Sequence, residues 1–396
     1  MKERKRGLYI CNAYNNFQKD SIEAVSKYLD NCFVHVRLNP VAELSKYLKI
    51  PYLNRFRSDY RVDLTDLPLN VTVYPKYMLY GPIDFQYQSL GKVHFNSVQR
   101  LIKDNNLKFD FIHSHFTWSS GYAGAKLKEK YDVPFIVTAH GYDIYDLPFK
   151  NDKWKSKIEY ILNSADAIIT VSNSNLECIK KLDVNTPVTV IPNGYREDLF
   201  YPIDTFECRK LLSLPSNKKI ILSVGNLEEV KGHKFLVEAM SQVVKRRKDV
   251  LCFIVGGGKL ETQLEKQIKL AGLNDYVKLV GDKPHNEIPL WMNACDILIL
   301  PSLRESFGVV QIEAMACGKP VVATRNGGSE EIITSDDLGF LVEVANPLHL
   351  SQKILISLDY KWDAFKIINY AGQFTWDNVV SKIIKAYRGI HSFKFL

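Results

Sequence analysis

Apolar residues along this chain fall into short β-branched runs separated by longer stretches with apolar positions at helical spacing. The runs stand at 8–11, 32–36, 71–74, 109–113, 135–138, 167–171 and 188–191, and a second series follows at 220–224, 252–255, 277–280, 297–300, 321–323 and 340–342. Such alternation predicts an α/β chain with parallel sheets covered by helices on both faces. The segment "IPNGYREDLFYPIDTF" between the two series is rich in Pro, Gly and Asp, and it predicts a hinge at about 192–215. The last stretch, "WDNVVSKIIKAYRGI", has helical spacing and no strand after it. The expected architecture is therefore two facing Rossmann-like, doubly wound domains, 1–195 and 196–375, with a terminal helix in 376–396 crossing back to the first. In such sheets ligands sit at the carboxyl ends of the strands, here in a cleft between the domains.

The length of 396 residues agrees with two cores, and 46% hydrophobic with 24% charged residues is the composition of an ordinary globular protein. No apolar run approaches the roughly 18 residues of a spanning helix. The opening "MKERKRGLYICNAYNN" has too few apolar residues for a signal-peptide core and reads as a surface leader into the first strand. Seven cysteines form no CxxC or Cys/His zinc spacing, which fits buried, reduced thiols in a cytosolic protein.

The net charge of +8 comes mainly from the part before Tyr195, so the first half faces the more anionic partner. No helix-turn-helix, zinc-finger or RNP-like pattern accompanies that charge, and nucleic acid is not expected. An anionic lipid surface or a phosphorylated substrate accounts for it as well. In "LSKYLKIPYLNRFRSDYR", residues 44–61, Lys46, Lys49, Arg55, Arg57 and Arg61 are interleaved with apolar and aromatic side chains. The stretch fits an anionic membrane surface. It fits a solvated basic face equally.

The candidate chemistry lies in four strand-to-helix turns. "SLRESFGVVQIEAMACGKP" puts Glu305 in the loop after a strand and Glu313 inside the helix that follows. Between them, the backbone of Phe307, Gly308 and Val309 opens the helix, where free N–H groups favour a phosphate. A glycosidase pair flanks a single bond, whereas a phosphate-binding helix start between the carboxylates suits a nucleotide-sugar diphosphate better. In "SVGNLEEVKGHKFLVEAM", Lys231 opens a helix where its charge could offset that of a leaving phosphate. "IVGGGKLE" is a third such turn, and three glycines alone are a weak signal. "FIVTAHGYDIYD" places His140 directly after a strand, and His113 and His115 stand at another strand end. Taken one at a time, each of these side chains reads equally as a solvated or packed residue. No carboxylate stands at ligand spacing among the three histidines and the chain has no Asp-x-Asp, so neither a metal nor a cofactor is called for.

Taken together, "PSLRESFGVVQIEAMACGKPVVAT", "GGSEEII" and "VGNLEEVKG", with "VTAHGYDIY", "ADAIITVSNSN" and "VIPNGYREDLF", resemble the retaining GT-B glycosyltransferases often called GT4, over about residues 109–390. Glu305 and Glu313 meet the family's Glu-x7-Glu signature. "HFTWSSGYAGAKL" and Trp376 are similar to bacterial envelope-polysaccharide enzymes of that family. The resemblance implies a metal-independent transferase using a UDP- or GDP-sugar donor and a glycan or lipid-linked acceptor, placed in the cytoplasm or on the inner face of the cell membrane. It implies that Glu313 holds the donor ribose, that Glu305 contacts the transferred sugar, and that Phe307, Gly308 and Val309 receive the phosphates through their N–H groups. It further implies that Lys231 neutralises the leaving diphosphate, that His140 reaches the donor sugar, and that Asp282 and Lys283 border the base.

Two departures stand out. Asn226 occupies a position where the family often has Arg, leaving Arg304, Arg325 or Lys283 to supply the second cation. "YICNAYNNFQKDS" lacks the Gly-Gly turn that many relatives place near the acceptor. Two other readings remain on this architecture, a nucleotide-sugar epimerase and a catalytically silent sugar-nucleotide-binding subunit.

Overall fold

The computed structural model describes residues 5–47, 53, 56–81 and 84–390. The chain forms two compact units, residues 1–194 with 376–396, and residues 195–375. Each is built on one sheet in which every pairing is parallel.

The first unit contains β1 (Arg6–Cys11), β2 (Asn31–Leu38), β3 (Val71–Tyr77), β4 (Phe111–His115), β5 (Phe135–Ala139), β6 (Ala167–Thr170) and β7 (Val188–Val190), in the order β3-β2-β1-β4-β5-β6-β7. Successive side chains serve opposite faces, as the pleat requires. Tyr9 and Cys11 join a core with Ile22 and Val25, while Leu8 and Ile10 join another with Trp118, Trp154 and Ile158. The final helix, Trp376–Arg388, belongs to the first of these cores through Val379, Val380, Ile383 and Tyr387. Its Tyr387 hydroxyl also bonds His113 Nδ1 at 2.6 Å. The fourth strand starts two residues later than its apolar run, because Asp110 instead binds Arg6, accepting from its backbone N at 2.8 Å and its Nη2 at 3.0 Å.

The second unit contains β8 (Lys219–Val224), β9 (Val250–Val255), β10 (Val277–Gly281), β11 (Ile297–Leu300), β12 (Val321–Thr324) and β13 (Gly339–Val342), in the order β10-β9-β8-β11-β12-β13. Part of the span expected to be a hinge is instead a helix, Thr205–Leu211, because the Asp204 carboxylate accepts from Glu207 N at 3.0 Å and starts it.

All seven cysteines are free and buried. Among the described residues no helix is long and apolar enough to cross a membrane. Of the basic stretch 44–61, Lys49 and Arg55 lie outside the described residues. Lys46 is paired with Glu43 at 2.8 Å, Arg57 with Asp59, and Arg61 lies over the Phe56 ring. Arg61 Nη1 also donates to Asn12 O at 3.3 Å.

Candidate functional site

In the second unit the chain adds strands outward from β8 and then returns to place β11 on β8's other side. That switch point is where ligands of open α/β sheets bind. The loops leaving these two strands carry Lys231 and Glu305. Lys231 closes a short helical turn, Glu229–Lys231, and Gly232 follows with φ +66° and starts the helix His233–Arg246. A Cβ on Gly232 would stand 2.1 Å from the Pro301 carbonyl oxygen, so only glycine lets the two loops touch. Leu303 N donates to Val230 O at 2.7 Å across that contact. As a result Lys231 Nζ donates to Glu305 Oε1 at 2.6 Å, and Ser302 Oγ donates to the same oxygen at 2.7 Å. The pair is largely withdrawn from water, with 27% of the lysine and 11% of the glutamate side chain exposed.

Gly308 (φ +84°) precedes the helix Val309–Ala316. The Phe307 ring is buried against Phe374, so this residue offers a ligand only its backbone. The first N–H groups of a helix have no partner within it, and here they open at the carboxyl end of β11. Glu313 is buried one turn in, and its Oε1 lies 3.1 Å from His285 Nε2. His285 had no sequence signal beyond its place after β10. Sequence reasoning likewise passed over His233, whose ring is buried beside the end of β8 with Nδ1 3.5 Å from Ser223 Oγ.

Asp282 accepts from Gly257 N at 2.8 Å and ties the glycine turn after β9 to the loop after β10. Asn226 is exposed at the end of β8. Of the cations offered in place of the missing arginine, Arg325 lies 3.5 Å from Glu343 and Lys283 lies 4.0 Å from Glu287, both pairs in contact with solvent. Among the described residues no group of three or more His, Cys, Asp or Glu side chains is arranged to hold a metal ion.

His140 lies in the first unit, after β5, where its backbone N donates to Asp143 Oδ1 at 3.2 Å and its ring meets His115. Its Nε2 is 3.0 Å from His115 Nδ1 and the two rings stack at 5.2 Å. Asp143 fixes the backbone beneath it, accepting from Gly141 N at 2.8 Å and Thr117 N at 2.7 Å.

Burial holds these imidazoles neutral. His35 and His115 are pushed down to about 3, and His94, His113 and His140 well below the ordinary 6.5. In the second unit burial lowers His233 to about 4. An unfolded chain takes up protons on these rings below pH 6.5 while the folded one does not, so their contribution to stability is complete above 6.5 and is lost as the pH falls. Each ring then costs up to about 1.4 kcal/mol per pH unit. Asp143, held above its ordinary value by burial, acts in the opposite sense and offsets one ring at most. The first unit should accordingly lose its thermal transition ahead of the second between pH 6.5 and 4. Calorimetric scans in which both transitions fall together would contradict this.

A family model described as Glycosyl transferases group 1 matches residues 204–374, and one described as Glycosyltransferase Family 4 matches residues 66–199. The chain is 33% identical over 287 residues to a glycosyltransferase of Methanocaldococcus jannaschii, covering 70% of this chain and 75% of the relative. It is 28% identical over 315 residues to a D-inositol 3-phosphate glycosyltransferase of Corynebacterium jeikeium, covering 74% and 75%. Among solved structures, Anabaena HepE in complex with UDP-glucose superimposes with a TM-score of 0.72 at 20% identity, covering 96% of this chain and 98% of HepE.

Proposed function

The chain belongs to the family 4 glycosyltransferases and has their GT-B fold, and from that premise we propose that it moves a sugar from a nucleotide-sugar donor to a glycan or lipid-linked acceptor with retention of anomeric configuration and without a metal ion. The observation that carries this reading is the Lys231–Glu305 pair, held beside the Gly308 helix start at the switch point of the second sheet. The helix-start N–H groups take the donor's phosphates, Lys231 neutralises the charge that grows on the departing diphosphate, and Glu305 faces the sugar. Glu313 holds the ribose. Asp282 and Lys283 border the base, Asn226 donates a hydrogen bond near the phosphates, and His140 hydrogen-bonds the sugar.

Retention follows from front-face substitution. The bond from the sugar's anomeric carbon to the phosphate oxygen breaks, the acceptor oxygen bonds that carbon on the same face, and its proton passes to the leaving phosphate. No side chain need act as a base. A role in cell-envelope polysaccharide synthesis is supported by the likeness of "HFTWSSGYAGAKL" and Trp376 to such enzymes, and docking at the inner face of a membrane by the mix of basic and aromatic residues in 44–61.

The test is a screen of UDP- and GDP-sugars for heat stabilisation, followed by transfer assays with the best binder in the presence of a chelator and NMR of the product's anomeric proton. Donor turnover without acceptor would favour an epimerase, and binding without transfer a silent subunit. An inverted product or dependence on added metal would overturn the mechanism.

A further inference from the structure

Three cationic side chains of the described residues are buried: Lys19, Arg37 and Arg209. A buried charge is costly unless it is paired. Lys19 meets Asp63 at 2.8 Å, and Arg209 meets Asp296 at 2.8 Å along with three backbone carbonyls. Arg37, with only 8% of the residue exposed, has no carboxylate partner among the described residues. Its Nη1 donates to Ser119 Oγ at 3.3 Å, its guanidinium carbon lies 4.9 Å from the Tyr80 ring centroid, and its Nε is buried with no hydrogen-bond partner.

The groups behind it supply no negative charge. Ser119 Oγ is 2.8 Å from His94 Nδ1, His94 Nε2 is 3.3 Å from His35 Nδ1, and His35 Nε2 is 3.0 Å from Ser97 Oγ. One assignment satisfies the whole chain: Ser119 accepts from Arg37 and donates to His94, which donates to His35, which donates to Ser97. This neutral network holds one edge of the guanidinium and leaves the Nε side without an acceptor. The planar fork of arginine matches the paired oxygens of a carboxylate or phosphate.

Arg37 also stands where a ligand would be met. It is the next-to-last residue of β2, at the carboxyl end of the strand that pairs with β1, and the first sheet's switch point lies between β1 and β4. Ser120, next to Ser119, donates to Asn12 Oδ1 at 3.1 Å, and Asn12 directly follows β1.

We propose that Arg37 is the centre of a site for one oxyanion, a phosphate or carboxylate group, and that this group belongs to the acceptor. The second half of that statement rests on the transferase reading above. The anion site itself does not, because it can be measured without a donor.

The full chain is titrated calorimetrically with inorganic phosphate and with D-glucuronate at constant ionic strength, with D-glucose and chloride as controls. Saturable binding of one equivalent of either anion is expected, weakened about tenfold or more in Arg37→Gln. The preferred anion identifies the group the acceptor carries. No saturable binding of either anion, or binding undiminished in Arg37→Gln, overturns the site. If that variant does not fold, crystals of the unaltered protein grown with selenate decide it. An anomalous peak within hydrogen-bond distance of Arg37 Nε supports the site, and its absence overturns it. If anion binding holds while no donor and acceptor pair gives transfer, the site stands and its assignment to an acceptor falls.

Discussion

Replacing Lys231 by alanine is expected to slow sugar transfer by about 100- to 1000-fold, the loss typical when one preorganised donor to a developing negative charge is removed. The effect should appear in kcat. In the structure Lys231 meets the Glu305 carboxylate at 2.6 Å, and the loop contact at Gly232 and Pro301 holds that geometry before any substrate arrives. A charge already in place costs no reorganisation when the diphosphate departs. The fold should survive the change, since the lysine is partly exposed and Glu305 keeps its hydrogen bond from Ser302. Glu305→Gln keeps the size and the Ser302 contact while removing the charge that positions the ammonium, so it should slow transfer too, with little change in thermal stability. Steady-state rates at saturating donor read both effects. A Lys231→Ala enzyme transferring sugar at the original rate would remove the central element of the mechanism.

The strand pattern was legible because parallel strands buried on both faces must be apolar almost throughout, and 297–300 therefore reads as β11 directly. The helix start at Gly308 was legible for a related reason. The apolar spacing of "VVQIEAMAC" marks the helix, and Gly308 before it takes a positive φ that glycine adopts freely. Pairings between loops were not legible. Lys231 and Glu305 are 74 residues apart, and what joins them is the approach of Gly232 to Pro301 together with a backbone hydrogen bond from Leu303 to Val230. Neither leaves a local signal. His285 gave none either, because its value comes only from reaching Glu313, 28 residues on in the helix Val309–Ala316. Arg37 was passed over at the end of an apolar run, and the lack of a carboxylate beside it among the described residues sets it apart from Arg209.

Glu313→Gln should raise the donor KM by about 10- to 100-fold while leaving kcat within about twofold. Removing hydrogen bonds to a charged group costs about 1.5–3 kcal/mol, which corresponds to that range. The split follows from position. Glu313 lies within the helix Val309–Ala316 and meets His285 through Oε1, whereas Lys231 meets Glu305. A group that holds the ribose does so equally before and during transfer, so its loss weakens binding without raising the barrier from the bound state. Glutamine keeps the length of the side chain and a polar contact for His285, which separates loss of charge from loss of packing. The same variant distinguishes a holder from a proton donor. Were Glu313 a general acid or base, the substitution would lower kcat and erase one limb of its pH profile. A holder leaves the profile of kcat unchanged and moves only the donor concentration at which half of that rate is reached.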